Sequence, residues 1–366
     1  MHELKFLKLS VHSLLNGMKI LNTPYKLTFS ITYRCNARCK TCNIWKVHVK
    51  HELSLKEIEK FAESCRFRWI NLTGGEPFLR RDLYEIIRSF AENEHTYLIN
   101  FATNGSLKNL IHTTILKALK RLDIPRMIVG VSIDGPPKLH DELRGVPVWR
   151  SAINSYKKLR EFAKEYENFE TYVGMTLSPY NLGKIEETYL SIKREIPDFS
   201  YDEIHVNVFH VSPIYYRNVD QKVTKRFFQE VAKDVEFIKK KRKFRIFDPV
   251  DFLEKEFLER MSEYLKSGKC PLPCMALRAS VFIDPVGDVY PCTNYGVKLG
   301  NIREMSIEEI LQTDRVKKLR KEIERLRCPQ CWTACEAYQT IVGNIWRCFL
   351  KIAMTNLHRI NVLPSK

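Results

Sequence analysis

The chain of 366 residues contains no run of eighteen apolar residues, so no transmembrane helix is expected. Its first residues, Met1-His2-Glu3-Leu4, lack the apolar stretch of a secretory leader. No internal repeat and no low-complexity linker stands out along it. Nor is there a recognised nucleic-acid-binding motif or a platform of interleaved aromatic and basic residues. A chain of this length can bury a large core and hold more than one domain. Its eleven cysteines, with no leader before them, point to metal or redox use in a reducing cytoplasm and not to disulfides.

Acidic residues are the scarcer charge, 43 against 60 Lys and Arg, which leaves a net charge of +17. That balance attracts anionic partners without choosing among them. Nucleic acid, resting on charge alone, is not the expected partner. Many cations alternate with Glu, as at Arg160-Glu161 and Lys321-Glu322, and read as solvated helix faces. Residues 1–23 pattern as a leading helix. Leu4, Leu7, Val11, Leu14, Leu15 and Met18 fall at helical spacing, with Lys5, Lys8 and Lys19 between them. Such a stripe is expected to pack on the body of the protein, as on any surface helix. The alternative is peripheral contact with a membrane surface.

What the chain does have is clustered thiols. Cys35, Cys39 and Cys42 stand at spacing C-x3-C-x2-C, directly after an alternating apolar run at 27–32. Three thiolates on one short loop suit a cubane iron–sulfur cluster whose fourth iron has no protein ligand. Zinc would want a fourth ligand, and no Cys or His follows at finger spacing.

Strand-like runs lie at 27–32, 69–73, 97–103, 127–133, 171–177 and 204–209. They are apolar and β-branched, the composition expected of strands buried on both faces. Helical patterns occupy 54–65, 82–91, 107–121, 150–166 and 182–194, the first opened by the capping box Ser54-x-x-Glu57. The alternation predicts an α/β fold, a partial parallel (βα)6 barrel open on one side, with an N-terminal helix and a smaller cysteine-rich C-terminal domain. Ligands of such folds bind at the carboxyl ends of the strands. The three cysteines, Gly74–Pro77, Thr103–Gly105 and Ser132–Gly135 all fall there. The expected domains are the helix at 1–23, the barrel at 24–243, a connector at 244–269, the cysteine-rich domain at 270–350 and a tail at 351–366.

Seven more cysteines follow: Cys270, Cys274, Cys292, Cys328, Cys331, Cys335 and Cys348. A hairpin at 280–291 turns at Asp284-Pro285-Val286-Gly287, and helices are expected at 307–312 and 314–327. The favoured grouping is a four-cysteine cluster from Cys328, Cys331, Cys335 and Cys348. Cys270, Cys274 and Cys292 would then hold a second, incompletely ligated one. Structural zinc is the alternative. Cys65, alone in a helix, reads as a small buried apolar residue.

The C-x3-C-x2-C loop, followed at the next strand end by Leu72-Thr73-Gly74-Gly75-Glu76-Pro77, resembles the radical S-adenosylmethionine (SAM) superfamily. In place of the family's frequent aromatic before the third Cys stands Thr41, with Trp45 three past Cys42. Residues 270–348, with the hairpin and Leu299-Gly300-Asn301-Ile302, resemble the SPASM or twitch extension, though the usual late run of four cysteines is here three. The resemblance implies a [4Fe-4S] cluster, bound SAM and one or two auxiliary iron–sulfur clusters. It implies reductive cleavage to a 5′-deoxyadenosyl radical that abstracts hydrogen from a peptide, protein or other large substrate. Gly74 and Gly75 would let backbone approach the methionine moiety, and Glu76 would accept from its ammonium. Thr103 and Asn104 would bind ribose or carboxylate, Ser132 and Asp134 ribose or substrate, and Arg144 the carboxylate. Ferredoxin or flavodoxin would supply electrons. The rival readings are a lipid-modifying enzyme of the same superfamily at a membrane surface and a non-enzymatic electron-transfer protein. The second is disfavoured because electron transfer alone needs no cofactor pocket.

Overall fold

The computed structural model describes residues 2–245 and 248–348. After helix α1 (His2–Gly17), strands and helices alternate. They are β1 (Lys26–Ser30), α2 (Leu55–Ser64), β2 (Trp69–Thr73), α3 (Leu83–Glu92), β3 (Leu98–Thr103), α4 (Lys108–Arg121) and β4 (Arg126–Ser132). Then come α5 (Pro137–Arg144), α6 (Trp149–Glu165), β5 (Phe169–Leu177), α7 (Ile185–Glu195), β6 (Ile204–Val208), α8 (Lys225–Lys241) and α9 (Pro249–Ser267). The C-terminal part is β7 (Ser280–Ile283), β8 (Asp288–Tyr290), β9 (Gly300–Asn301), α10 (Ile307–Gln312), α11 (Asp314–Glu324) and α12 (Ala334–Gly343). The expected capping box forms: Ser54 accepts from the Glu57 backbone, and the Glu57 carboxylate accepts from Ser54 N at 2.8 Å. Two helices were not legible from periodicity. α5 starts on Pro137 and stops at Gly145, whose φ of 65° is left-handed. α12 begins immediately after the late cysteines.

β1 to β6 pair in parallel, in sequence order, as a partial barrel. The cysteine-rich part is not a separate layer beside it. β7 pairs parallel to β1, and β8 and β9 follow antiparallel, giving one nine-stranded sheet in the order β6-β5-β4-β3-β2-β1-β7-β8-β9. The largest buried apolar cluster accordingly runs from Leu27 and Phe29 through Val281, Ile283 and Val289 to Ile341. At the other edge the Ala334 N–H reaches Asn207 Oδ1 of β6. The extension thus spans the open side of the barrel, from the β1 edge to β6.

The strands are apolar on one face only. Outward residues such as Leu27, Phe29, Ile70, Leu72, Ile99 and Val129 are fully buried under the helices. The register aligns the other face as Thr28, Asn71, Asn100 and Ile128, then Gly130, Tyr172, Gly174 and His205. That inward face is polar, and Asn71, Asn100, Ala102, Tyr172, His205 and Asn207 keep some exposure, so the barrel has a lumen. The expectation of two apolar faces fails here because a barrel closed by helices outside still needs a wet, functional interior.

α1 also departs from expectation. It lies across the amino ends of the strands, with His12 against Tyr25, Phe6 against Tyr97 and His2 bonded to Asp123. It packs through Leu9, Ser13, Asn16 and Gly17, and its leucine stripe points outward.

Candidate active site

The three cysteines of the first motif lie on the loop after β1, and backbone bonds hold that loop from three sides. Gly75 N donates to Thr32 O and Glu76 N to Arg34 O, tying it to the β2 end. Arg38 N donates to Arg144 O and Lys40 N to Leu143 O, tying it to the end of α5. Asn43 N donates to Tyr216 O, and the Gln221 amide to Lys40 O, tying it to the segment after β6. The glycine pair makes the first contact possible. A Cβ on Gly74 would stand 2.3 Å from Thr32 O, and one on Gly75 2.1 Å from Arg34 O. The lack of a side chain is thus spent on packing β2's end against the cysteine loop.

Cys35, Cys39 and Cys42 open onto one cavity of about 860 Å³, continuous with solvent and lined also by Gly74, Gly75, Thr103, Asn104, Ser132, Asp134 and Arg144. Those are all the residues to which the resemblance gave a cofactor-binding role except Glu76. Burial pushes the Cys35 thiol up to about 11 and the Cys42 thiol up to about 12, with the neighbouring cysteines adding to the effect. Three thiolates cannot accumulate there without positive charge, which is the condition a cationic iron group satisfies. One guanidinium is already in place. Arg144 Nη2 pairs with Asp134 Oδ2 at 2.7 Å, and Nη1 stands 3.7 Å from Cys39 Sγ. Arg144 and Asp134 are therefore partners of each other, and Asp134 Oδ1 also accepts from Thr176 N at 2.8 Å.

Glu76 is buried behind the cavity wall. Its Oε1 accepts from Thr103 Oγ1 at 2.8 Å and its Oε2 from Asn104 N at 2.8 Å. Burial raises its carboxyl to about 7 against these hydrogen bonds. Asn104 in turn donates to Asn36 Oδ1 at 2.9 Å on the cysteine loop. Glu76 organises the β3 end and, through Asn104, the cluster loop.

The cavity wall also takes in Thr176 and Phe209, within the expected strand runs at 171–177 and 204–209, and Tyr215 and Tyr216, which periodicity did not reveal. Tyr215 bonds to Thr73 Oγ1 at 2.6 Å and packs on Phe282 of β7, and Ser212 Oγ donates to Thr293 O. This segment clamps the barrel mouth to the extension. Its place just past β6 was the available signal, by the same strand-end rule. Below the mouth, Trp69 Nε1 donates to Asn100 Oδ1 and Asn100 Nδ2 to Asn71 Oδ1. Across the lumen, His205 packs at a tilt on Tyr172 and bonds to Glu254 at 2.8 Å.

The second cysteine set regroups. Cys270, Cys274, Cys292, Cys328 and Cys331 surround one cavity of about 360 Å³, together with Asn294, Gln330 and Glu336. Cys335 and Cys348 are not in it. Cys335 sits on the first turn of α12, beside Lys26 and Thr293. Cys348 lies against Glu256 and Arg260 of α9. The expected set of Cys328, Cys331, Cys335 and Cys348 is thus split. The reason is geometric: helix α12 starts between Cys331 and Cys335, turns Glu336 to the cavity and carries the chain past it. Among the described residues, no three Cys, His, Asp or Glu side chains converge on a point where one ion would sit. The thiols are arranged around a space, and the donor set suits an iron–sulfur group.

Family comparisons match this geometry. Residues 29–192 match the radical SAM superfamily, and residues 274–336 match the SPASM iron–sulfur cluster-binding domain. The chain thus carries a radical SAM domain followed by a SPASM domain. This radical SAM chain is similar to the AdoMet-dependent heme synthase of Methanosarcina barkeri, 25% identical over 324 residues that cover 84% of this chain and 87% of that protein. It is also 25% identical over 315 residues to the subtilosin biosynthesis protein AlbA of Bacillus subtilis, covering 83% of this chain and 63% of AlbA. Among solved structures, native anSMEcpe with bound AdoMet and a peptide shares the fold, with a TM-score of 0.57 at 17% identity over 92% of this chain and 99% of that one. The radical SAM domain implies a [4Fe-4S] cluster with SAM, the SPASM domain implies auxiliary iron–sulfur clusters, and the superfamily relatives are enzymes. Among the described residues no helix is long and apolar enough to cross a membrane.

Proposed function

We propose that this enzyme cleaves SAM reductively at a [4Fe-4S] cluster held by Cys35, Cys39 and Cys42, and abstracts hydrogen from a peptide, protein or other large substrate. The bound cluster and SAM would supply the 5′-deoxyadenosyl radical. The chain's own residues bind, orient and exclude water. Gly74 and Gly75 would wall the cofactor; Thr103, Asn104 and Ser132 would offer it hydrogen bonds. Glu76 would act by fixing Thr103 and Asn104. Asp134 and Arg144 would act as a pair, the guanidinium facing the anionic cluster while the carboxylate holds it in place. The observation that carries this reading is the convergence of the three thiols and the ends of β2, β3 and β4 on one cavity above a polar lumen.

A peptide substrate is supported by AlbA's role in bacteriocin biosynthesis and by the peptide bound to anSMEcpe. The match to the heme synthase over most of both chains favours a tetrapyrrole as the second reading. A low-potential ferredoxin or flavodoxin would be the electron donor. We assign one auxiliary cluster to the cavity of Cys270, Cys274, Cys292, Cys328 and Cys331, with four of the five as ligands. The unit at 24–243 would carry the radical chemistry and 270–350 the auxiliary cluster. The test is replacement of Cys35, Cys39 and Cys42 together by Ala in anaerobically reconstituted protein. Formation of 5′-deoxyadenosine from SAM and dithionite should vanish while iron bound by the C-terminal cysteines stays. Persistence of 5′-deoxyadenosine overturns the assignment.

A further inference from the structure

α1 is amphipathic the wrong way round for a helix that only packs on its own protein. Apart from Leu9, and Phe6 against Tyr97 at one edge, the side it turns inward is small and polar. Asn16 donates to Thr23 O, Ser13 to Leu9 O, and a Cβ on Gly17 would meet Gly343 O of α12 at 2.8 Å. Its outer side carries Leu4, Leu7, Val11, Leu14 and Met18, which are 54, 58, 45, 51 and 60% exposed. Spacings of three and four residues keep these five side chains on one stripe, about 21 Å long at 1.5 Å per residue. Ile20, 60% exposed, extends the stripe past the helix end. A continuous exposed row of this kind marks an interaction surface.

Charge selects the occupant. Lys5 and Lys8 stand on α1 beside the stripe. Arg66, Arg68 and Lys8 all lie near enough to His95 to act on it, as does Glu94. Against these four cations stand Glu3, Glu94 and Asp123, the last bonded to His2, so the rim is basic in balance and a second copy of this face would bring that excess of like charge together. Residues 349–366 lie outside the described residues; their sequence contains Lys351, Arg359 and Lys366 and no acidic residue, so they do not complement the rim either. An anionic bilayer surface satisfies both features. Acyl chains take the leucine stripe, and headgroup phosphates take the cations.

We propose that α1 is an interfacial helix that docks this enzyme on an anionic membrane surface. The helix crosses the amino ends of β1 to β3, opposite the cysteine loop. The docked catalytic mouth therefore faces away from the bilayer. The contact tethers the enzyme and does not feed it lipid.

The experiment is flotation of the full-length, cluster-loaded protein with vesicles of phosphatidylcholine, with or without phosphatidylglycerol. Binding should need the anionic lipid and weaken as salt rises. The variant Leu7→Glu with Leu14→Glu, both exposed, should keep iron content and 5′-deoxyadenosine formation and lose roughly tenfold or more of the vesicle affinity. Lys5→Glu with Lys8→Glu should abolish the salt-dependent part. The proposal is overturned if the protein stays unbound, if neutral vesicles bind it equally, or if the double leucine variant binds as well as the parent. It is equally overturned if light scattering without lipid shows a dimer that this variant dissolves. A chain truncated after Cys348 that binds vesicles roughly tenfold better than the full one also overturns it, because the C-terminal segment would then be the occupant.

Discussion

Replacing Arg144 by Gln tests whether the cofactor cavity is built around a buried ion pair. Arg144 and Asp134 have side chains only 12% and 11% exposed, and they meet at 2.7 Å. Breaking a buried pair by removing one partner costs about 3–5 kcal/mol, because the other charge is left behind without compensation. Here Thr176 N still donates to Asp134 Oδ1, so the loss should sit at the lower end, about 3 kcal/mol. The variant also removes the cation that faces Cys39 Sγ. Removing both charges with Asp134→Asn should recover most of the loss, about 2 kcal/mol of it, since a neutral pair costs little to bury. The assay is anaerobic urea unfolding of the metal-free chain, read by far-UV circular dichroism, for the parent, both single variants and the double variant. Iron retention after reconstitution would be read in parallel and should fall in Arg144→Gln alone. A single-variant loss below about 1 kcal/mol, the range of exposed pairs, would refute the reasoning. So would a double variant whose loss equals the sum of the two singles.

Anaerobic metal analysis of Cys331→Ser should show loss of the auxiliary iron, whereas Cys348→Ser should retain it; equal loss in both would restore the grouping read from sequence. If the C-terminal cavity instead holds structural zinc, the purified chain will contain about one zinc and no labile sulfide beyond that of the first cluster. His210, buried at 8% exposure, has its imidazole lowered to about 4 by burial. Its contribution to stability is therefore full above the unfolded value near 6.5 and is lost as pH falls from there toward 4. Between pH 7.5 and 5.5 urea unfolding should register a loss of about 1.4 kcal/mol that His210→Leu lacks; parallel pH profiles for the two proteins would exclude the effect.

Local order and composition determined a good deal. Apolar runs bounded by turn residues placed six strands, and β2 (Trp69–Thr73) fell where the pattern ended, because short-range hydrophobic spacing and strand length are properties of the chain itself. The C-x3-C-x2-C loop and Gly-Gly-Glu-Pro were equally readable, since each is one turn of backbone and its neighbours in sequence are its neighbours in space. The strand-end rule then gathered them without a contact being known.

The rest was settled by tertiary contacts. Cys274 and Cys292 share a cavity with Cys328 and Cys331 because residues brought together by the docked hairpin and the α11–α12 turn are far apart in sequence. Cys335 and Glu336 are adjacent in the chain, yet only Glu336 lines that cavity, since consecutive residues on a helix point about 100° apart. Glu76 looked like a free acceptor until its oxygens were found bonded to Thr103 and Asn104. In α1 the period announced an amphipathic helix, but either face could have turned inward. Gly17 against Gly343 and Asn16 bonded to Thr23 O put the small polar face on the protein, so a leucine stripe that periodicity alone assigns to the core stands in solvent.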